Sequence, residues 1–346
     1  MRYVSLGGSD LIISEFGFGC IPIIRLSRDE AVRVLRHAVD RGVNYFDTAS
    51  AYRDSEEKIG DAFAGMRAKV VLSTKTLKRG AADATEQLEK SLRLLRTDHI
   101  DLYQLHQISQ EQEWRQVTAP AGALEAVMKA KAAGKIRYVG VTSHNLRMAL
   151  TMVKSGLFDS LQFPFNLIEE GAKDELFAEC RDRGIGFIGM KPFGGGVIDN
   201  ASLAFKYLRN HPGVIPIPGF ESCQQLDEII SCYKQVNLIT EQDQSLMENY
   251  RAGLGKIFCR RCEYCQPCPH GVMITPAMGY PIVAARMSPA VAVEFCKSAM
   301  ESVLLCRECG ECLDRCPYEL SVIEILRTNY ALYKADRERW GDLSSL

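Results

Sequence analysis

Four polar residues stand where apolar runs end, and together they could move protons. The stretch Asn44-Tyr45-Phe46-Asp47-Thr48-Ala49-Ser50-Ala51-Tyr52 closes a short apolar run on an aspartate and brings a tyrosine five positions later. Val70-Val71-Leu72-Ser73-Thr74 ends at Lys75, and Ile100-Asp101-Leu102-Tyr103-Gln104-Leu105 ends at His106. Each run reads as a buried parallel strand. The polar groups therefore fall at or just past strand carboxyl ends, where α/β barrels carry their catalytic groups. Any one of them alone reads as a strand-end residue at the solvent boundary. Asp, Tyr, Lys and His in order on successive strands read as an acid–base site. A free phenol, with a pKa of about 10, is a poor proton donor or acceptor near neutrality. A nearby ammonium favours the phenolate, and a buried carboxylate keeps that ammonium charged and in place. A carbonyl becoming an alkoxide needs donors at its oxygen, and Tyr52 and His106 could supply two.

The cysteines form a second set. Of 13, only Cys20, Cys180, Cys223 and Cys232 precede residue 259, and the rest lie between Cys259 and Cys316. In a reducing compartment that density points to metal. Cys259, Cys262, Cys265 and Cys268 follow C-x2-C-x2-C-x2-C-P, and Cys306, Cys309, Cys312 and Cys316 follow C-x2-C-x2-C-x3-C-P. The second is the bacterial ferredoxin run, in which three cysteines hold one [4Fe–4S] cluster and the fourth reaches the other. The first run is one residue shorter. Carried onto this chain, the pattern joins Cys316 to Cys259, Cys262 and Cys265, and Cys268 to Cys306, Cys309 and Cys312. Zinc is the competing reading, since C-x2-C pairs also build zinc ribbons. Zinc takes four ligands per site and has no need of two runs each closed by Cys-Pro, so the spacing favours two [4Fe–4S] clusters. Cys296 lies outside both runs and reads as a small buried apolar residue.

The elements that would position these groups alternate. Residues 3–14 read as a hairpin turning at Gly7-Gly8. Ser27 and Glu30 form a capping box for a helix that ends at Gly42. Strands are then expected at 44–47, 70–74, 100–105, 136–141, 160–163, 185–190 and 214–217. Helices are expected near 55–65, 84–96, 121–133, 146–155, 172–183, 200–210 and 222–234. With the short strand at 15–20 this makes eight strand–helix pairs, which predict a (β/α)8 TIM barrel with an N-terminal hairpin. A doubly wound sheet is the alternative. It would want a glycine fingerprint in its first turn, and Gly17-Phe18-Gly19-Cys20-Ile21-Pro22 does not continue to a third glycine. The expected division is a barrel over 1–255 and a small ferredoxin-like iron–sulfur domain over 256–346, closed by a helix at 318–334.

Bulk properties exclude little but do so clearly. The chain has 346 residues and a net charge of -1, from 42 basic and 43 acidic side chains. That balance gives no general reason to expect nucleic acid or a membrane surface as a partner. No apolar run approaches the roughly 18 residues of a membrane span. The first residues lack the apolar core of a signal peptide, so a cytoplasmic location is the expectation.

Along most of residues 3–235 the chain resembles the aldo-keto reductase superfamily. The hairpin, Phe46-Asp47-Thr48-Ala49 with Tyr52, Ser73-Thr74-Lys75, Leu105-His106, Gly140-Val141-Thr142-Ser143 and Leu161-Gln162 carry the resemblance. It implies a (β/α)8 barrel and hydride transfer between NAD(H) or NADP(H) and a small carbonyl or alcohol. It implies Tyr52 as the general acid, Lys75 paired with Asp47 to lower the tyrosine pKa, and His106 to orient the carbonyl. It also implies nicotinamide contacts at Thr142, Ser143 and Gln162, where the family's usual asparagine is missing. Met190 falls where the family has a stacking tyrosine. Gly194, Gly195 and Gly219 could admit a pyrophosphate, although three glycines at 194–196 also suit a flexible turn. Where the family often holds the 2′-phosphate of NADP, residues 218–225 contain no lysine or arginine and Glu221 would repel a phosphate. NAD is therefore expected at least as readily as NADP. The cysteine region resembles a subgroup of the family with a ferredoxin-like C-terminal domain.

Three functions fit. Hydride chemistry could be coupled to electron transfer through two clusters. The clusters could instead be purely structural in a carbonyl reductase. The barrel could also be the scaffold of a non-enzymatic redox sensor, which the intact Asp47, Tyr52, Lys75 and His106 set argues against. Coupling a two-electron hydride to one-electron clusters calls for a radical-tolerant substrate, or for a further carrier such as flavin. A redox partner protein, ferredoxin or flavoprotein, is the matching expectation. The connection 107–119 with Trp114, the loop Ile21–Arg25 and the cysteine domain are expected to shape the pocket mouth, with Trp114 equally suited to anchoring its loop.

Overall fold

The computed structural model describes residues 1–254, 257–287 and 289–340. The expected domain boundary at 255 and 256 lies outside the described residues. The chain divides into two units, Met1–Met247 and Glu248–Leu346.

The first unit opens on a hairpin of β1 (Tyr3–Ser5) and β2 (Ile12–Ser14), paired antiparallel with Tyr3 opposite Ser14. Its Leu6, Leu11 and Ile13 are buried with Leu102, Ile188 and Ile215, so the hairpin plugs the amino-terminal end of the strands. Then come β3 (Phe18–Gly19), α1 (Arg28–Asp40), β4 (Tyr45–Asp47), α2 (Ser55–Phe63), β5 (Val71–Thr76), α3 (Ala81–Leu95) and β6 (Ile100–Leu105). Next are α4 (Glu111–Thr118), α5 (Ala123–Ala132), β7 (Ile136–Thr142), α6 (Leu146–Lys154), β8 (Ser160–Pro164) and α7 (Glu175–Asp182). The series ends with β9 (Gly186–Met190), α8 (Ala201–Arg209), β10 (Val214–Pro216) and α9 (Cys223–Lys234), and α10 (Glu241–Leu254) spans the division at Met247.

Strands β3 to β10 form one eight-stranded parallel sheet in sequence order. A parallel bridge between Gly19 and Gly219 joins its edges, with Gly17 N donating to Pro216 O at 2.9 Å and Gly19 N to Pro218 O at 2.7 Å. Closure on itself is what separates a barrel from an open doubly wound sheet. The helices follow their local chemistry. Ser27 Oγ accepts from Glu30 N while Glu30 reaches back to Ser27 N, the reciprocal capping box read from the sequence. The helix it opens buries Ala31, Val34, Leu35 and Ala38. Each of its larger apolar side chains adds about 1.5–3 kcal/mol of transfer free energy.

In the second unit, α11 (Ile274–Met278), α12 (Tyr280–Met287), α13 (Pro289–Phe295) and α14 (Lys297–Ser302) precede the one-turn α15 (Glu311–Asp314) and the long α16 (Val322–Trp340). No strand occurs among its described residues. Ala277, Met278, Tyr280, Met300, Leu326 and Tyr333 form its core, and Cys296 is buried there as expected from its isolation. The closing helix begins later than expected and runs further. Its far end is polar and carries no stripe to betray it.

Candidate active site and cysteine-lined cavities

Alternation along three neighbouring strands brings the acid–base residues together. Asp47 ends β4, Lys75 sits one residue before the end of β5, and His106 follows β6 directly. Tyr52 is carried by the turn between β4 and α2. That turn is fixed by Tyr52 N donating to Ala49 O at 2.9 Å and by Ser50 N donating to Lys75 O at 3.1 Å. Lys75 is fully buried, and its Nζ donates to Asp47 Oδ2 and to Thr48 O, each at 2.6 Å. The same Nζ lies 5.3 Å from the centre of the Tyr52 ring. The Tyr52 and His106 rings meet edge to face, with centroids 5.9 Å apart at 80°. Both residues are half-buried beside the buried charged pair.

Burial by itself would lower the Lys75 pKa. The Asp47 carboxylate, aided by the facing Tyr52, more than offsets it and holds the ammonium above its ordinary value. Asp47 is itself well served. Ser73 Oγ and Gln104 Nε2 donate to its Oδ1 at 3.1 Å each, and Gln162 Nε2 to its Oδ2 at 3.5 Å. Gln104 also donates to Gln162 Oε1 at 3.0 Å. In the sequence Gln104 reads as strand interior. Its one local signal is an amide two residues before His106.

Gln162 is thus drawn into the carboxylate's network. Thr142 ends β7, buried, and its Oγ1 accepts from Gln107 N at 2.7 Å. Ser143 is buried beside it, its Oγ accepting from Asn145 N at 3.1 Å. Met190 ends β9. Beyond it Gly194, Gly195 and Gly196 have φ of 56°, 80° and 99°, a run that only glycine adopts without strain. At Gly219 a Cβ would come within 2.5 Å of Pro22 Cγ. Trp114 packs on Phe158 with ring centroids 6.2 Å apart, which makes it an anchor for its helix.

Glu221 does not stand alone. Arg25, from the 3-10 turn Pro22–Arg25, forms an ion pair with it. The absence of cations over 218–225 is real in the sequence, yet the fold supplies one from a segment nearly two hundred positions earlier.

In the second unit the cysteines sort by cavity and not by run. Cys259, Cys262, Cys265 and Cys316 line one cavity. Cys265, Cys268, Cys306, Cys309 and Cys312 line another. Cys265 and Ile274 face both, so the cavities share a wall. Burial pushes the Cys262 thiol up to about 11 and that of Cys265 up to about 12. Among the described residues, no three His, Cys, Asp or Glu side chains converge closely enough to hold a single metal ion. No described helix is long and apolar enough to cross a membrane.

The sequence pattern of the aldo/keto reductase family matches residues 15–204. The oxidoreductase YqkF of Bacillus subtilis (strain 168) is 34% identical over 190 residues, covering 51% of this chain and 60% of that protein. The aldo-keto reductase YhdN of the same organism is 30% identical over 258 residues, 66% of this chain and 76% of that one. Among solved structures, aldo-keto reductase AKR11C1 from Bacillus halodurans in its holo form superposes with a TM-score of 0.62 at 24% identity, covering 72% of this chain and 96% of that one. An aldo/keto reductase from Klebsiella pneumoniae in complex with NADP and acetate gives 0.61 at 24% identity, covering 71% and 94%. The fold agrees, the family pattern spans more than half of the chain, and the chain belongs to the aldo/keto reductase family.

Proposed function

We propose that the protein is an NAD(P)-dependent oxidoreductase of the aldo-keto reductase type, acting on a small carbonyl or alcohol, with two [4Fe–4S] clusters in its second unit. The observation that carries the first half is the buried Lys75–Asp47 pair, whose ammonium lies 5.3 Å from the Tyr52 ring. When bound, the nicotinamide supplies or accepts the hydride. Tyr52 gives its proton to the carbonyl oxygen as charge builds there. Lys75 stabilises the negative charge left on the phenol, and Asp47 keeps Lys75 charged in a dry site. His106, edge-on to Tyr52, orients the same oxygen. In this reading Thr142, Ser143, Gln162 and Met190 hold the nicotinamide end, and Gly194, Gly195 and Gly219 leave room for the pyrophosphate.

The chemistry of the donor set supports clusters over zinc. Thiols arranged around a cavity suit a cube of four irons, each wanting its own cysteine, better than one ion wanting four ligands at a point. Crossed ligation, with Cys316 completing the set of Cys259, Cys262 and Cys265 and with Cys268 completing that of Cys306, Cys309 and Cys312, fits the cavity linings. A cluster supplies one-electron transfer when bound, and the shared wall would set two of them side by side. In this reading the clusters form a relay served by a flavoprotein or ferredoxin partner, with purely structural clusters as the alternative.

Tyr52→Phe tests the hydride reading. It should lower carbonyl reduction by about 10²–10⁴ while nicotinamide affinity stays within a few fold. Turnover at the wild-type rate would remove Tyr52 from its role.

A further inference from the structure

The Arg25–Glu221 pair sits at a place with a chemical meaning of its own. In α/β barrels the loops after the seventh and eighth strands often bind phosphate. Here those strands are β9 and β10, and Glu221 lies in the loop after β10. Closure of the barrel at Gly19 and Gly219 sets the segment after β3 against that loop, and Pro22 packs directly on Gly219. The turn bearing Arg25 is held firmly. Lys58 Nζ donates to Ile23 O at 3.1 Å and to Leu26 O at 2.8 Å, which ties the turn to α2. Arg25 is thus a guanidinium on a fixed support, at the carboxyl end of the barrel, paired with the Glu221 carboxylate. Both side chains keep about a third of their surface open, 31% and 38%, so an anion can reach the pair.

We propose that Arg25 is the residue that reads the 2′-phosphate of NADP, and that Glu221 holds it in check. This rests on the reading of the barrel as a nicotinamide-dinucleotide site. A dinucleotide with a free 2′-hydroxyl leaves the ion pair intact. A 2′-phosphate competes with Glu221 for the guanidinium, whose flat donor fork matches carboxylate and phosphate alike. The carboxylate opposes the phosphate and the guanidinium attracts it, so the pair permits both cofactors and strongly favours neither.

The test uses the full-length protein with its clusters and two probes that differ only in the phosphate, adenosine 2′,5′-bisphosphate and 5′-AMP. NADPH and NADH are titrated alongside. Glu221→Gln should tighten the bisphosphate and NADPH by about tenfold, the change that 1.4 kcal/mol gives, with 5′-AMP and NADH within about twofold. Arg25→Gln should weaken the bisphosphate and NADPH by a similar factor. In the double variant the gain from Glu221→Gln should vanish. Unchanged 5′-AMP binding shows that each variant is folded. If Glu221→Gln moves both probes alike, or if its gain survives loss of Arg25, the assignment is overturned while the dinucleotide site stands. If the wild-type protein binds neither NADH nor NADPH, the dinucleotide reading falls and the assignment with it.

Discussion

Asp47→Asn removes one charge from a buried pair and almost nothing else. Lys75 Nζ is 2.6 Å from the carboxylate and has no exposed surface. At an effective dielectric of about 20, that attraction is about 6 kcal/mol. Not all of it is lost in the variant, because Lys75 keeps the Thr48 carbonyl and the new amide keeps the shape. Removing one partner of a buried pair costs about 3–5 kcal/mol, which for a barrel of this size lowers Tm by about 10 °C. The pH sign favours a clear reading. A lysine held above its ordinary value of 10.5 adds stability that is complete below that value and is lost only as pH climbs through the folded one. The loss is therefore fully visible at neutral pH. Lys75→Met should cost a similar amount by stranding Asp47. The double variant should cost less than either single change, since no unpaired charge is left buried. Thermal unfolding of the cluster-loaded protein, following the barrel transition, measures all three. Single variants within about 1 kcal/mol of wild type, or a double variant that equals the sum of the singles, would refute the reasoning.

Two further changes separate the units and the two ends of the barrel. Cys316→Ser should damage the cluster of Cys259, Cys262 and Cys265 and spare the one beside it, as read by iron counting and Mössbauer or EPR spectroscopy; damage confined to the Cys306, Cys309 and Cys312 set would mean that each run closes on itself. Asp101→Ala removes a carboxylate that accepts from Leu72 N at 2.9 Å, Arg67 Nη2 at 2.6 Å and Arg137 Nη1 at 3.0 Å, at the end of β6 away from His106. It should cost about 1–3 kcal/mol in a denaturant titration and leave turnover intact, whereas a loss of turnover at full stability would tie Asp101 to the site.

The barrel strands were legible because each is a short apolar run ended by a polar residue, and the same ends marked the acid–base groups. Two helices gave no such signal. α4 buries only Val117 and α10 only Met247, so neither carries an apolar stripe for periodicity to find. Residues 289–293 gave no stripe for the opposite reason, since Pro289-Ala290-Val291-Ala292-Val293 is apolar all round. Within the site, local reading picked out polar residues at or just past strand ends, and the fold sets Asp47, Tyr52, Lys75 and His106 side by side. It missed those whose role comes from a neighbour in space. Gln104 matters through Asp47 on another strand, and Arg25 through Glu221 across the barrel closure.

That closure is lopsided. Pro216 and Pro218 offer carbonyls to β3 but have no N–H to offer in return. Every hydrogen bond described between the backbones there therefore runs one way, from Gly17 and Gly19 to the prolines. The barrel is a belt whose last two holes take a pin from one side only. The ends it fastens are two hundred positions apart in the chain. Other contacts must share in keeping the belt shut. The packing of Pro22 on Gly219 and the pairing of Arg25 with Glu221 lie at that buckle, which makes the proposed cofactor reader part of the fastening as well.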